Sequence, residues 1–395
     1  MNKKILYLSE KYSSQRGVSL CLALTLFMLP LSSSGKSIFL ALSVIAILSS
    51  ARLRARLPEM VVKPWCLLGF TLLLLSLLAC FWSPASYSEQ FFVVEKYSKL
   101  LYLPILAVGF SQESTRRWGL HAFLWAMLIT CMIAILKFHG FLSSFAINPD
   151  KVFRNHIMTG FMLAFASYLS LVFFYQKCAY RLQIGYLTLT VIYTYHLLFI
   201  NGGRMAYIIY LVMMILLVYQ LFNWRQAFIG LLIVGSLFTG CYLASPMMKL
   251  RLHSLSEERY QKESSVGMRL QFQAFAHRLF NQHPIKGNGT ASFTYNFQSI
   301  NPVPAWGHRL WEPHNQYWLI ACEFGILGLI VLSLFFYAIY NACRQLSLTY
   351  RLIMTGMLVP FFIGNLSDSL LFYSGSGYFF LLIVAICLGE TVRCK

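Results

Sequence analysis

Acidic residues are scarce in this chain: 13 Asp and Glu stand against 32 Lys and Arg in 395 residues, and charged residues of all kinds make up only 11%. There is no Asp-x-Asp pair and no His-Glu-x-x-His motif, so no metal centre is expected, and strong charge in a site must come from Arg or Lys. No Gly-x-Ser-x-Gly elbow occurs, which leaves serine-based acyl hydrolysis without support. Internal repeats, low-complexity stretches and inverted pairs of Gly/Pro-broken apolar segments are missing too, so a secondary transporter is poorly matched. None of the ten cysteines falls in the one long polar stretch, 245–312, which argues against a disulfide framework or a Cys-based zinc site. They read as small buried hydrophobes.

What is abundant is apolar sequence, 58% of residues, with a mean hydropathy of +0.63. Runs such as 65–82 and 119–136 have membrane-spanning length, since ~20 apolar residues cross a bilayer core. Backbone groups in lipid must bond within their own segment, and the alternation of barrel strands is absent, so these runs are predicted helices. The expected fold is an all-α polytopic membrane protein. About twelve spans are predicted near 17–33, 37–51, 64–82, 91–110, 118–138, 155–176, 182–200, 204–222, 226–244, 313–341, 349–368 and 375–392. The domain reading is 1–244 for the first nine helices, 245–312 for a large loop with an amphipathic helix, and 313–395 for the last three. The first run, after a basic start, resembles a signal peptide, but no small-x-small cleavage site follows and it reads as a retained helix.

Charge counting orients the chain. With the N-terminus inside, Lys3, Lys4, Lys11 and Arg16 are cytoplasmic, as are Arg52, Arg54, Arg56, Lys63, Arg116, Arg117, Lys177, Arg181, Arg225, Arg344, Arg351, Arg393 and Lys395. Both termini are then cytoplasmic and 245–312 lies on the far side. The basic excess thus belongs to loops that hold the anionic face of a membrane, and no basic helix with interleaved aromatics points to nucleic acid. Several cations remain near the outer face: Lys36, Lys96, Lys99, Lys137, Lys151, Arg154 and Arg204. Lys36, Lys137 and Lys151 are expected to snorkel to the interface. Arg154 and Arg204 are harder to explain that way.

Candidate chemistry gathers on that outer side. Arg204 ends Asn201-Gly202-Gly203-Arg204, a turn whose glycines permit close backbone approach to a ligand, with interfacial anchoring as the plain alternative. In the loop, Met268, Phe272, Phe275 and Leu279 recur at helical spacing, predicting an amphipathic helix over 266–281 against the membrane or the bundle top. Arg269 lies on the flank of that stripe, able to reach a headgroup or simply to be solvated. The following His283-Pro284-Ile285-Lys286-Gly287-Asn288-Gly289 is a turn, with amides that could cradle an anion. Pro313 suits a first helical position, which predicts His314 in the first turn, where the dipole disfavours its protonated form and a base is feasible. Glu312 beside it could orient the ring or favour its protonation instead. Trp306, Trp311, Tyr317 and Trp318 fit an interfacial belt or a sugar-stacking wall. Glu323 and Asp368 are acids inside spans, functional or merely paired. Asn365, Ser367 and Asp368 could wall the site mouth, with Asn315 in support of His314.

Together these residues resemble the O-antigen ligase / O-antigen polymerase superfamily of bacterial inner-membrane glycosyltransferases. The resemblance spans the architecture, with one large extracytoplasmic loop before the tenth span, and is specific from 201 to 329. Gly203-Arg204 is similar to the family's arginine between spans. Arg269 with Pro284-Ile285-Lys286-Gly287-Asn288-Gly289 is similar to its arginine helix and Pro-hydrophobe-x-Gly-x-Gly turn. Pro313-His314-Asn315 and Glu323-Phe324-Gly325-Ile326-Leu327-Gly328 are similar to its His-Asn and Glu-x-Gly-x-x-Gly signature. Lys286-Gly287-Asn288 departs from it, since the family more often has small apolar residues there. The resemblance implies a GT-C-like fold and a polyprenyl-pyrophosphate-linked glycan donor. In the ligase branch the acceptor is a lipid A–core sugar, and no cofactor is called for. Arg204 and Arg269, with Arg154 third, would grip the pyrophosphate while His314 activates the acceptor hydroxyl. A polymerase, a protein O-oligosaccharyltransferase and a transporter of an anionic lipid or sugar are the alternatives.

Overall fold

A computed structural model describes residues 3–142, 151–176, 179–258, 261, 263–300 and 309–392. Lys177, Trp306, Arg393 and Lys395 lie outside the described residues, as do the side chains of Lys3, Lys4 and Lys11. The described residues are almost all helical and contain no strand. In chain order the helices are α1 (Lys3–Leu31), α2 (Ser33–Ser49), α3 (Ala51–Arg54), α4 (Leu57–Val61), α5 (Pro64–Leu78) and α6 (Tyr87–Ser98). There follow α7 (Tyr102–Gly109), α8 (Glu113–Phe138), α9 (His156–Tyr175), α10 (Tyr180–Tyr195), α11 (Arg204–Leu221) and α12 (Trp224–Ala244). The polar loop holds α13 (Pro246–Glu258), α14 (Ser265–Gln282) and α15 (Ser292–Ile300), before α16 (Gln316–Ala342), α17 (Leu348–Gly364) and α18 (Ser374–Leu388).

Eight helices among the described residues are long and apolar enough to cross a membrane, or nine if α2 and the segment bent 84° from it form one span. This is the architecture of a polytopic all-α membrane protein, but the count differs from the expected twelve for local reasons. The apolar parts of α1 and α17 are only 17 residues each. The 91–110 run is interrupted by a tight 3₁₀ turn at Lys99–Leu101, which splits it into α6 and α7. Helices α9 and α18 are central, with 78% and 72% of their apolar windows buried, whereas α12 is peripheral at 6%. A peripheral helix this apolar is suited to face lipid.

The loop helix α14 matches the amphipathic reading within a residue at each end. Its stripe of Phe272, Phe275 and Leu279 is buried, and the helix packs on α16. Phe275 meets Phe293 and Phe297 of α15 edge-on, which closes a small aromatic core above the spans.

The long helix α16 breaks at Gly325, whose φ of 64° and ψ of −160° are outside any helix. The turn Pro284–Gly289 fills that break with its own backbone. Pro284 and Ile285 carbonyls accept from Ile326 and Leu327 N–H at 2.8 and 3.4 Å. Cys322 and Glu323 carbonyls accept from Asn288 and Gly289 N–H at 2.9 and 3.0 Å. Each amide and carbonyl freed by the kink is thus satisfied inside the protein, the condition for irregular backbone in an apolar span. The glycines the sequence offered as an anion cradle serve this clasp instead. A Cβ on Gly287 would lie 2.3 Å from the Glu323 carbonyl oxygen, and one on Gly325 would lie 2.2 Å from that of Ile285. Both glycines have positive φ, so a side chain meets backbone strain as well as overlap. Gly287→Ala and Gly325→Ala are each expected to cost about 2–4 kcal/mol and to lower the melting temperature of the purified protein. Gly235→Ala, where nothing lies within 4 Å, should leave it unchanged.

Candidate functional site

The site grows from the start of α16. Asn315, not Pro313, caps this helix: its Oδ1 accepts from Tyr317 and Trp318 N–H at 3.0 and 3.1 Å. His314 therefore lies one residue outside the helix rather than in its first turn, which corrects the sequence expectation. Its φ is 54°, a left-handed conformation that histidine tolerates better than most residues. This backbone twist lets the His314 N–H donate to Glu312 Oε2 at 2.6 Å while the ring turns back over the same residue. Nδ1 lies 3.1 Å from Glu312 Oε1 and 3.1 Å from Asp368 Oδ1. With Nδ1–H given to carboxylates, Nε2 is the nitrogen left to accept a proton. Phe272 of α14 stacks beside the imidazole at 6.0 Å between centroids and helps fix its plane.

Glu312 is almost fully buried and heavily bonded. Besides His314 it accepts from Ser369 Oγ–H and Tyr373 O–H, both at 2.6 Å. Burial, then the charge of Glu312, pushes the Tyr373 hydroxyl above the ordinary phenol range, so it stays a donor. The segment between α17 and α18 thus serves as the second wall. Its Asn365 and Leu366 carbonyls accept from Gln316 N–H and Asn315 Nδ2–H, each at 2.9 Å. Its Ser367 carbonyl and Asp368 Oδ1 take the Arg269 guanidinium at 3.1 and 3.4 Å. Arg269 therefore has protein partners where the sequence reading left a headgroup or solvent. Gln273, one turn further along α14, donates to the His314 carbonyl at 3.3 Å.

This wall is held from behind by a residue that the sequence marked only as a stray outer cation. Lys99, in the turn between α6 and α7, is 1% exposed. Its Nζ donates to the carbonyls of Leu371, Phe372 and Tyr373 at 2.7, 2.9 and 3.1 Å. A Cβ on Gly377 would sit 2.6 Å from that Nζ, so the glycine-rich start of α18 makes room for the ammonium. Lys36 is also buried rather than snorkelling, its Nζ 4.0 Å over the Tyr378 ring.

Arg204 opens α11 as expected, but the Gly-Gly turn before it serves packing. Asn201 is buried, accepts the Gly203 N–H at 2.8 Å and donates to the His156 carbonyl at 3.0 Å. The Arg204 guanidinium donates to the Arg251 carbonyl at 3.0 Å and Ser254 Oγ at 2.8 Å, and pairs with Glu258. The hydrogen bond from Arg204 holds the Glu258 carboxyl below its ordinary range. Arg204, Arg251 and Arg269 line one cavity of about 240 Å³, with Asp368 at its edge. A second cavity of about 460 Å³ contains Arg154 and His314, again with Asp368 in its wall. The structure thus divides the three expected arginines: Arg204 and Arg269 face one chamber, Arg154 the next. Burial lowers the Arg154 guanidinium from its ordinary value, and it donates to the Leu29 carbonyl and Ser33 Oγ.

Glu323 is buried under the clasp, away from both chambers' linings. Of the aromatic candidates, Trp311 packs on Phe92 at 3.9 Å, Trp318 meets His277 at 5.0 Å, and Tyr317 donates to the Phe362 carbonyl at 2.7 Å. Ser369, Tyr373, Gln273 and Lys99 were not legible as site residues. Only the polar break at 365–369 between two apolar runs hinted at the wall.

The fold and site define a class: a multi-pass helical membrane protein with a histidine–carboxylate cluster between two arginine-bearing chambers. Within it, residues 189–333 match the family model described as O-antigen ligase, in agreement with the superfamily that the motifs resemble. No curated protein matches the chain. The matched segment holds Arg204, Arg269, His314 and Glu323, whereas Arg154, Lys99 and the 365–373 wall lie outside it.

Two outcomes follow from the contacts. Lys99→Met removes the ammonium donor from the buried Leu371 and Phe372 carbonyls, the Tyr373 carbonyl keeping the Gly377 N–H, and is expected to cost about 3 kcal/mol, read as a lower melting temperature. The Arg204–Glu258 pair ties α13 to α11, and Glu258 has a depressed folded pKa. Its contribution is complete above the ordinary carboxylate range, ~4.3, and is lost as pH falls below it. Hydrogen-exchange protection factors of α13, which correct for the intrinsic slowing of amide exchange in acid, should therefore fall on acidification, while Glu258→Gln protein shows the lower protection already at pH 7.

Proposed function

We propose that this protein is an O-antigen ligase: a glycosyltransferase that moves a glycan from polyprenyl pyrophosphate to a sugar hydroxyl of lipid A–core. The reaction takes place at the periplasmic face of a bacterial inner membrane, with both chain termini cytoplasmic. The observation that carries the reading is His314, its Nδ1 tied to Glu312 and Asp368, beside a chamber lined by Arg204, Arg251 and Arg269. The match over 189–333 supports it. On this reading the eight long apolar helices, with α1, α2, the α6–α7 pair and α17, make twelve crossings in a GT-C-like arrangement.

The chemistry follows from the groups. Arg204 and Arg269 hold the pyrophosphate through charge-assisted hydrogen bonds. The acceptor oxygen attacks the anomeric carbon and its proton passes to His314 Nε2. The bond from the anomeric carbon to the phosphate oxygen breaks, and polyprenyl pyrophosphate leaves with the electron pair. The arginines stabilise that charge as it develops, so the scheme asks for no metal and no general acid. Displacement from the opposite face inverts the anomeric centre. Glu312 and Asp368 fix the ring's tautomer and stabilise the imidazolium once the proton arrives. Asn315 fixes the position of His314 by starting α16 immediately after it.

Against a transporter stands the lining of the chambers by helix starts and connecting segments, among them Arg204, Asp368 and Ser374, rather than by the middles of the long helices. His314→Ala and Arg269→Ala, each verified as folded and inserted, should lower transfer from lipid-linked glycan to lipid A–core by at least about 100-fold. Normal rates in either variant exclude the scheme. Wild-type protein that extends only a second lipid-linked unit would be a polymerase, and one that glycosylates only peptide a protein O-oligosaccharyltransferase.

A further inference from the structure

The two chambers share Asp368 and Ile157 but differ in size and lining. At about 240 Å³, the arginine chamber falls below the range of small-molecule sites, ~300–1,000 Å³, and suits phosphate groups rather than a sugar. The other, at about 460 Å³, lies within that range and is the one that His314 lines. Its lining is of two chemical kinds. One is His314 and Asp368, and the Oδ2 of Asp368, a residue only 3% exposed, is buried without a hydrogen-bond partner. A buried carboxylate oxygen in that state awaits a donor, and a hydroxyl group is the donor such a chamber would admit.

The other kind is Arg154 and the first turn of α18, Ser374 to Ser376. The N-cap of α18, Tyr373, supplies no side-chain oxygen to that turn, so its amides point outward uncapped. Arg154 is held in place by Leu29 and Ser33, and these contacts use only part of its five-donor fork. Lys36 is one helical turn on from Ser33, and Lys36 and Lys99 flank the same Tyr378 ring at 4.0 and 5.8 Å. Uncapped amides at a helix start with a guanidinium among the same lining form an anion-binding environment.

We infer that this chamber is the acceptor site, and that it takes a sugar carrying an anionic substituent. The hydroxyl to be glycosylated lies at Asp368 and His314, and the phosphate or carboxylate lies between Arg154 and the start of α18. Arg154 thereby belongs to the acceptor and not to the donor pyrophosphate. The inference rests on the glycosyltransferase reading for its hydroxyl part, while the anion part can be measured by binding alone.

The test uses full-length protein in nanodiscs and three forms of one sugar acceptor: phosphorylated, carboxylated and neutral. Equilibrium binding without donor should favour the anionic forms. It should weaken about tenfold for them in Arg154→Gln, as expected for loss of one charge-assisted hydrogen bond. Ser374→Asp places an acid at a helix start, where it favours folding, yet repels an anion, and should show the same selective loss. In transfer assays the ratio of kcat/KM for anionic over neutral acceptor should fall by a similar factor in both variants. Phosphorylated and carboxylated forms distinguish which anion the chamber prefers. Equal binding of all three forms by wild type overturns the inference whatever the transfer assay gives. A rise in donor KM in Arg154→Gln with acceptor selectivity intact also overturns it and returns Arg154 to the pyrophosphate. Absence of transfer by wild type, with anion-selective binding retained, would instead refute the glycosyltransferase reading and leave the anion site standing.

Discussion

The candidate site of this protein depends on one buried carboxylate. Glu312 is 2% exposed and takes a backbone N–H, two hydroxyls and an imidazole. A charge so placed is costly unless its oxygens are saturated, and each donor comes from a segment that must be in register for this to happen. Ser369 and Tyr373 bring the α17–α18 connection, and His314 brings the start of α16. Satisfying Glu312 therefore assembles the wall, the histidine and Asp368 in one step. Lys99 secures the same connection from the opposite side through three carbonyls. A cation from the α6–α7 turn and an anion before α16 grip a single nine-residue turn between them.

The break in α16 sets the other dimension of the site. By docking 284–289 into the kink at Gly325, the chain fixes where α14 ends relative to α16. That fixes where Arg269 and Gln273 point, since both lie on α14 and both reach residues at the mouth of α16 or the wall beside it. The clasp and the carboxylate cluster are separate devices with one result, namely two chambers that meet at Asp368. On the proposed reading, such an arrangement lets a hydroxyl nucleophile approach the carbon from one side while a charged leaving group departs on the other.

Much of this was legible in the sequence where a pattern is local. The amphipathic stripe at 268, 272, 275 and 279 marked α14. The His-Asn pair after Glu312-Pro313 marked the site. What failed was a competition between two local rules. Proline at a first helical position suggested that Pro313 begins the helix, but the Asn315 side chain caps two amides and begins it later. The glycines at 287 and 289 were read as a turn that could cradle an anion, and nothing in a single sequence pairs them with Gly325. The partners Ser369, Tyr373 and Lys99 could not be assigned for the same reason: Asp368 is 54 residues from His314, and Lys99 more than 270 from its carbonyls. Long-range pairing, rather than residue type, was the missing information.

The most direct test of this account is an experimental structure of the protein bound to a polyprenyl pyrophosphate donor. The account predicts pyrophosphate density between Arg204 and Arg269, with the first sugar directed past Asp368 towards the His314 Nε2. Pyrophosphate seated at Arg154 and α18, or density remote from His314, would contradict it.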